Sequence, residues 1–379
     1  MIKIGIECES IEDRQTWGVG RIINKLLEEL SKRPELGNEF KFFLYFKSKI
    51  PDHPYLASPL FVKKIIRVPF LPPSFSLYYY VFLPIKLYFE GLNVMFFPNY
   101  MLPIIFKGRS IVTLTEDIYY EFKSGNLPLR YKLAYRIFGQ WAAGHATKIM
   151  AMSESSKKAM ADLFKINAAK ISVNQLGIDI RKPHSQNMNY EINNYILYVG
   201  QAFPRRHLKE TILAFEKISS QFPDLKLIAV GKDKYNPPII SDLISQVNQR
   251  LERTAIIQKD YVSEEELADL YKNARSLVYV SSKEAFGLPP IEALAFNTVS
   301  VVSRNDVTKE IFGSEGNESA FFVDDPNSVD SITDTITASL NNQQKRQQIV
   351  NSASNITAKY TWSAYTDRFI KIVKEIPNV

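Results

Sequence analysis

The sequence is poor in the residues that build covalent or metal frameworks. It holds one cysteine, Cys8, within the apolar opening MIKIGIECES, so a disulfide scaffold is excluded and a reducing compartment is expected. Its four histidines, His53, His145, His184 and His207, are scattered, and no HxxxH or CxxC spacing occurs, which argues against a structural zinc site. Long apolar runs are also missing. The nearest approach to a membrane span, SLYYYVFLPIKLYF at 76–89, is interrupted by Pro84 and Lys86 and falls short of the roughly 18–20 apolar residues a spanning helix needs. The amino terminus reads as a first strand rather than as a cleavable leader. The net charge of +7 is spread without an arginine-rich run or an RNA-binding aromatic motif. A nucleic-acid partner is therefore not expected, and a membrane surface or a phosphorylated ligand accounts equally well for the basic excess.

What is present is alternation. KIGIE (3–7) precedes a glycine turn and the helix GRIINKLLEELSKR; KFFLYF, FVKKIIRVPF, NVMFFP and SIVTLT follow as strands. RYKLAYRIFGQWAAGHA (130–146) reads as a long helix, then KIMAMS, a helix over SSKKAMADLF and the strand KISVNQ. After LGIDI comes PHSQNMNYEINN, polar and without apolar period, which predicts a linker at 183–194. The alternation then restarts: YILYVG, a helix over LKETILAFEKISSQF, LKLIAVG, a helix near 239–252, TAIIQKDYV, a helix over EEELADLYKNA, SLVYVS, PPIEALA and VSVVS. The pattern predicts parallel sheets flanked by helices. The central linker and the related openings of the two halves favour two doubly wound Rossmann-like domains facing a central cleft over a (β/α)8 barrel. The expected division is 1–182, a first domain; 183–194, the linker; 195–358, a second domain; and 359–379, a carboxyl-terminal helix packed back on the first domain with Trp362, Phe369, Ile370 and Val373 on one apolar face.

The stretch EAFGLPPIEALA (284–295) carries the chemistry. It follows the strand SLVYVS, at the carboxyl end where open α/β sheets bind ligands. Pro289 and Pro290 suit a helix start, so the amides of Ala285, Phe286, Gly287 and Leu288 lie at an anion-attracting terminus. Glu284 and Glu292 bracket that turn, where both carboxylates would face one cleft and accept from paired sugar hydroxyls. The competing reading is a solvated Glu284 and a Glu292 that merely complements the helix dipole.

EAFGLPPIEALA resembles the signature loop of the family 4 retaining glycosyltransferases, which have the GT-B fold. WGVGR (17–21), MAMSESSK (150–157), NQLGID (174–179), YVGQAFPRRH (198–207) and DYVSEEELADLYKNA (260–274) are similar, in order and spacing, to further segments of that family. The resemblance implies that Glu292 holds the ribose hydroxyls of a nucleotide sugar and Glu284 those of its sugar. The Phe286, Gly287 and Leu288 amides would meet sugar and phosphate oxygens, and Arg206, assisted by Arg205, the diphosphate. Gly18 and Gly20 would let the first-domain backbone approach that diphosphate, and Val262 would present its backbone to the base. Three departures stand out: Gln201 replaces a common arginine, Asn297 and Val299 replace a usual glycine and proline, and TLTEDIYYEF lacks the usual histidine, leaving Glu116 or Asp117 as candidates to bind the sugar or position the acceptor. Implied too are metal-independent, retaining hexosyl transfer without a cofactor, a saccharide or lipid-linked acceptor, and a role in polysaccharide assembly. UDP-glucose is the favoured donor, although other UDP-hexoses and GDP-mannose also fit. The expected location is cytoplasmic and peripheral on the membrane, with the aromatic, basic segment 63–92 read either as a lipid-facing surface or as apolar core. Rival readings are a nucleotide-sugar epimerase, a silent nucleotide-sugar-binding subunit and a two-lobed binding protein.

Overall fold

A computed structural model describes residues 1–12, 18–69, 74–116, 129–179, 194–313 and 316–377. They form two compact units: the described chain up to Gly177 together with Trp362–Val379, and Ile178–Thr361. The division therefore falls at 177/178 and 361/362, against the expected 182 and 358. Of the expected linker only Asn194 lies among the described residues.

In the first unit the order is β1 (Ile2–Glu7), α1 (Val19–Ser31), β2 (Phe40–Phe46), β3 (Phe61–Ile65), α2 (Leu83–Tyr88), β4 (Val94–Phe97), β5 (Ser110–Thr113), α3 (Leu129–His145), β6 (Lys148–Ala151), α4 (Glu154–Phe164) and β7 (Ile171–Val173). Short helical turns, Phe75–Leu77 and the π-helical Tyr78–Phe82, lead into α2. All seven strands pair in parallel, in the order β3-β2-β1-β4-β5-β6-β7. Strands β4 and β5 are buried along their whole length, as expected of a parallel sheet covered on both faces, and this is why they read as continuous apolar runs. Helix α1 buries Ile22, Ile23, Leu26, Leu27 and Leu30, the three- and four-residue spacing of one helical face. The last helix, α12 (Trp362–Lys374), belongs to this unit; the Phe369 ring lies tilted against Phe96 of β4, centroids 5.0 Å apart, and Asp367 pairs with Arg33 at 2.5 Å. Trp362, Phe369, Ile370 and Val373 are all buried.

The second unit runs β8 (Tyr195–Val199), α5 (Leu208–Ile218), β9 (Lys226–Val230), α6 (Ile240–Arg250), β10 (Ile256–Lys259), α7 (Glu264–Asn273), β11 (Ser276–Tyr279), α8 (Leu288–Ala295), β12 (Ser300–Ser303), α9 (Asp306–Phe312), β13 (Phe321–Val323), α10 (Val329–Asn341) and α11 (Gln343–Thr357). Its six parallel strands lie in the order β10-β9-β8-β11-β12-β13. The expectations drawn from sequence stop at β12; the structure adds α9, β13, α10 and α11. Two separate open sheets replace the barrel alternative. Strand order reverses between β1 and β4 in one sheet and between β8 and β11 in the other, and such switch points open a crevice at the carboxyl ends of the two diverging strands.

Candidate active site

The second switch point gathers the expected donor residues. Strand β8 ends at Gly200, whose φ of +139° puts it where glycine is favoured. A Cβ there would come within 2.8 Å of the Arg206 guanidinium, which lies across the strand end. Gly231, at the end of β9, is tighter still: a Cβ would meet the Gly200 carbonyl oxygen at 2.0 Å. The chain then makes the turn Pro204–Arg206, closed by the Arg206 N–H donating to the Phe203 carbonyl at 2.8 Å. His207, at φ 45°, turns it into α5.

Neighbouring β11 delivers the bend. Glu284 is 7% exposed, so a solvated carboxylate is not what the structure holds. Arg205 Nη1 donates to its Oε1 at 2.7 Å, Arg206 Nε to the same oxygen at 2.7 Å, Arg206 Nη2 to Oε2 at 3.2 Å, and Ser281 Oγ to Oε1 at 3.0 Å. Arg205 Nη1 also donates to the Lys283 carbonyl, and the Ser282 N–H to the Arg205 carbonyl, both at 2.8 Å. Burial on its own would push the Glu284 carboxyl up, but the Arg206 and Arg205 charges outweigh it and hold its pKa at about 2. With three donors on Oε1 and one on Oε2, accepting capacity is left chiefly on Oε2. Glu284, expected as a direct acceptor for sugar hydroxyls, and Arg206, expected as a diphosphate ligand, are hydrogen-bonded to each other.

Beyond Glu284 the backbone tightens. Ala285 and Phe286 are buried, the Phe286 ring edge-on to Tyr360 at 5.5 Å. Gly287 caps α8 at φ 91°, ψ 76°, and Leu288, Pro289 and Pro290 open the helix. Gly287, Leu288 and Pro289 remain half-exposed, so the helix start meets solvent while its flanks do not. Glu292, one turn in, is 6% exposed, and its Oε2 accepts from Tyr271 Oη at 3.0 Å. The two carboxylates thus lie below the surface, held by protein donors, rather than opening freely towards one cleft. Val262 is side-chain core, packed with Tyr195, Leu270 and Tyr271. Asn297, standing where the resemblance expects glycine, keeps the left-handed turn at φ 62°, a conformation asparagine tolerates better than most residues.

Sequence reasoning passed over His207. It is buried, its Nε2 hydrogen-bonds Ser282 Oγ at 2.5 Å, and its Nδ1 lies 3.5 Å from Glu210 Oε2. A left-handed backbone costs a non-glycine residue about 1 kcal/mol, and what is retained in return is a strut between the basic turn and the bend. The signal available was its position immediately after Arg205 and Arg206. Ser281 and Asn305 were also missed; Ser281 N–H donates to Ser303 Oγ at 2.8 Å and Asn305 Nδ2 to the Ser281 carbonyl at 3.1 Å, tying the bend to β12 and the start of α9.

Gly18, Gly20 and Glu116 lie in the first unit. Gly18 caps α1 at φ 53° with open space where a Cβ would be, and Gly20 is buried within the helix. Glu116 is 4% exposed and accepts from Ser156 Oγ in the first turn of α4, where the helix terminus favours an anion. Asp117 lies outside the described residues.

Residues 179–356 match the family model described as glycosyl transferases group 1, which spans the whole Arg205–Arg206–Glu284–Glu292 constellation. The fold is GT-B, and the stretch that matches the group 1 model lies within the second unit. It is 27% identical over 243 residues to O-antigen chain mannosyltransferase B of Escherichia coli, covering 60% of this chain and 61% of that protein. It is 28% identical over 180 residues to O-antigen chain mannosyltransferase RfbU of Salmonella typhimurium, covering 48% of each. The matches therefore span less than two thirds of these relatives' own length. Among solved structures, Anabaena Alr3699/HepE in complex with UDP-glucose superposes with a TM-score of 0.71 over 99% of this chain and 100% of that one, at 13% identity, a likeness of fold alone.

Proposed function

We propose that the protein transfers a mannosyl residue from a nucleotide sugar, GDP-mannose first among candidates, to a saccharide or lipid-linked saccharide acceptor in O-antigen-type polysaccharide assembly. The observation that carries the reading is the paired Arg205–Arg206–Glu284 cluster beside an open helix start at the β8/β11 switch point. Mannose takes precedence over the glucose favoured from sequence because both curated relatives named above are mannosyltransferases.

The chemistry follows from where charge develops. As the bond from the anomeric carbon to the diphosphate oxygen breaks, negative charge gathers on the leaving nucleotide diphosphate. Fixed cations and amides aimed at it lower the barrier without reorganising. Arg206 is held by Glu284 through two nitrogens, so its position is set before substrate arrives, and its remaining N–H groups serve the phosphates. The Gly287 and Leu288 amides at the start of α8 add to the same field. Glu284 Oε2 accepts from a sugar hydroxyl, Glu292 from the ribose, and the Val262 backbone meets the base. The acceptor hydroxyl attacks from the face the diphosphate leaves, with retention of configuration, and its proton passes to the departing phosphate oxygen. Arginine and amides carry the charge, so no metal or cofactor is required.

Ligand-observed NMR and thermal shift across a panel of nucleotide sugars test this. GDP-mannose is expected to bind most tightly, in EDTA as without it, and Arg206→Ala to weaken binding about a hundredfold, the scale of a lost charge-assisted pair. A panel in which no nucleotide sugar binds, or in which Arg206→Ala changes nothing, overturns the reading.

A further inference from the structure

The helical segment 75–88 is apolar on two sides. Tyr78, Tyr79, Leu83 and Leu87 point into the core of the first unit and are buried. Val81, Ile85, Tyr88 and Phe89, at intervals of four, three and one, form the opposite stripe, and they are 39%, 50%, 83% and 77% exposed. The Tyr88 and Phe89 rings meet edge to face at 5.2 Å in solvent, with no core beneath them. Two neighbouring segments continue the surface. Leu133 and Ile137, one turn apart on α3, are 56% and 49% exposed, and Ile104 and Ile105 in the loop after β4 are 48% and 54% exposed. Tyr80 knits the three together: its ring stacks on Phe138 of α3 at 4.8 Å, and its hydroxyl donates to Met101 Sδ at 3.1 Å. Contiguous exposed apolar surface of this kind marks an interaction site rather than ordinary surface composition.

Charge identifies the occupant. Between residues 61 and 148 the sequence holds eleven lysines and arginines against four acids, a net +7 that equals the net charge of the whole chain. Lys107 and Arg136, on two of the three segments of the apolar surface, are exposed, while Lys86 on the third is exposed but pairs with Glu90 at 3.2 Å. A second copy would bring the same positive field against itself. An anionic surface with an apolar interior satisfies both the stripe and the charge. Among the described residues no helix is long and apolar enough to cross a membrane, and a single outward stripe on a short helix suits lying in an interface.

We propose that this face of the first unit docks on an anionic lipid bilayer, with Val81, Ile85, Tyr88 and Phe89 entering the headgroup–acyl boundary and Lys107 and Arg136 against lipid phosphates. The proposal deepens the preceding function by giving a place to meet a lipid-linked acceptor, but its measurement does not depend on the donor. Full-length protein is sedimented with phosphatidylcholine vesicles with and without phosphatidylglycerol, at low and moderate salt. Binding is expected only with phosphatidylglycerol, weakening with salt. The triple variant Ile85→Ser, Tyr88→Ser, Phe89→Ser and the double variant Lys107→Glu, Arg136→Glu are each expected to lose about tenfold or more in vesicle affinity. Their melting temperature and GDP-mannose binding should stay unchanged, since the altered side chains touch solvent. Failure to sediment with anionic vesicles, or a triple variant that sediments like the parent, overturns the proposal. So does a dimer, seen by light scattering, that the triple variant abolishes. Vesicle binding in a protein that takes up no nucleotide sugar supports this face while telling against the donor reading.

Discussion

At the scale of single residues, the centre of the second unit is a carboxylate whose ionisation the fold enforces. The pKa of Glu284 is about 2 in the folded chain against a reference of 4.5. Its contribution to stability is therefore complete above the unfolded value and is lost as pH falls from about 4.5 towards 2, on the order of 3 kcal/mol in total. Glu284→Gln keeps the shape but leaves Arg205 and Arg206 facing a neutral amide. Urea unfolding at pH 7 should show a loss of about 3 kcal/mol, and the variant should lack that part of the acid transition. His207 offers the opposite test. His207→Gly relieves the left-handed backbone but removes the links to Ser282 and Glu210. Each of these effects is worth about 1 kcal/mol, so the melting temperature should barely move. Affinity for the nucleotide diphosphate should nevertheless fall about tenfold, because the basic turn is no longer tied to the bend, and Ser282→Ala should reproduce that loss in the same titration.

Among elements, strand ends matter more than strands. Strand β1 closes on Glu7, 1% exposed, which accepts from the Glu9 N–H at 2.8 Å and from Tyr78 Oη at 3.1 Å. Burial pushes its carboxyl up from 4.5 to about 8, these hydrogen bonds only partly opposing it. The folded chain thus keeps a proton that the unfolded chain releases, and stability should decline as pH rises from about 4.5 to 8, then level off. Denaturant titrations at pH 6 and 8.5 should show that decline, and Glu7→Gln should remove it, a difference on the order of 3 kcal/mol. The elements themselves were largely legible in the sequence because buried parallel strands are unbroken apolar runs and their helices keep a 3.6-residue period. Where legibility failed, the cause is local. Helices α10 and α11 are rich in Ser, Thr, Asn and Gln, residues that weaken the apolar contrast, and β13 has only three residues. In FVKKIIRVPF the strand stops at Ile65, four residues before Pro69, although the apolar run continues. The bend after β11 was readable from its prolines and glycine. The ion pairs across it were not, since Arg205 and Glu284 are 79 residues apart and meet only because β8 and β11 are neighbours in the sheet.

For the molecule as a whole, two open sheets of the same plan carry very different surfaces. The basic excess is concentrated in the stretch 61–148, most of it in the first unit, where eleven lysines and arginines stand against four acids. The first unit would therefore keep a net positive charge at a pH where the total charge of the chain is near zero. On a negatively charged chromatographic matrix the chain would be retained even near its isoelectric point, through the basic stretch of its first unit.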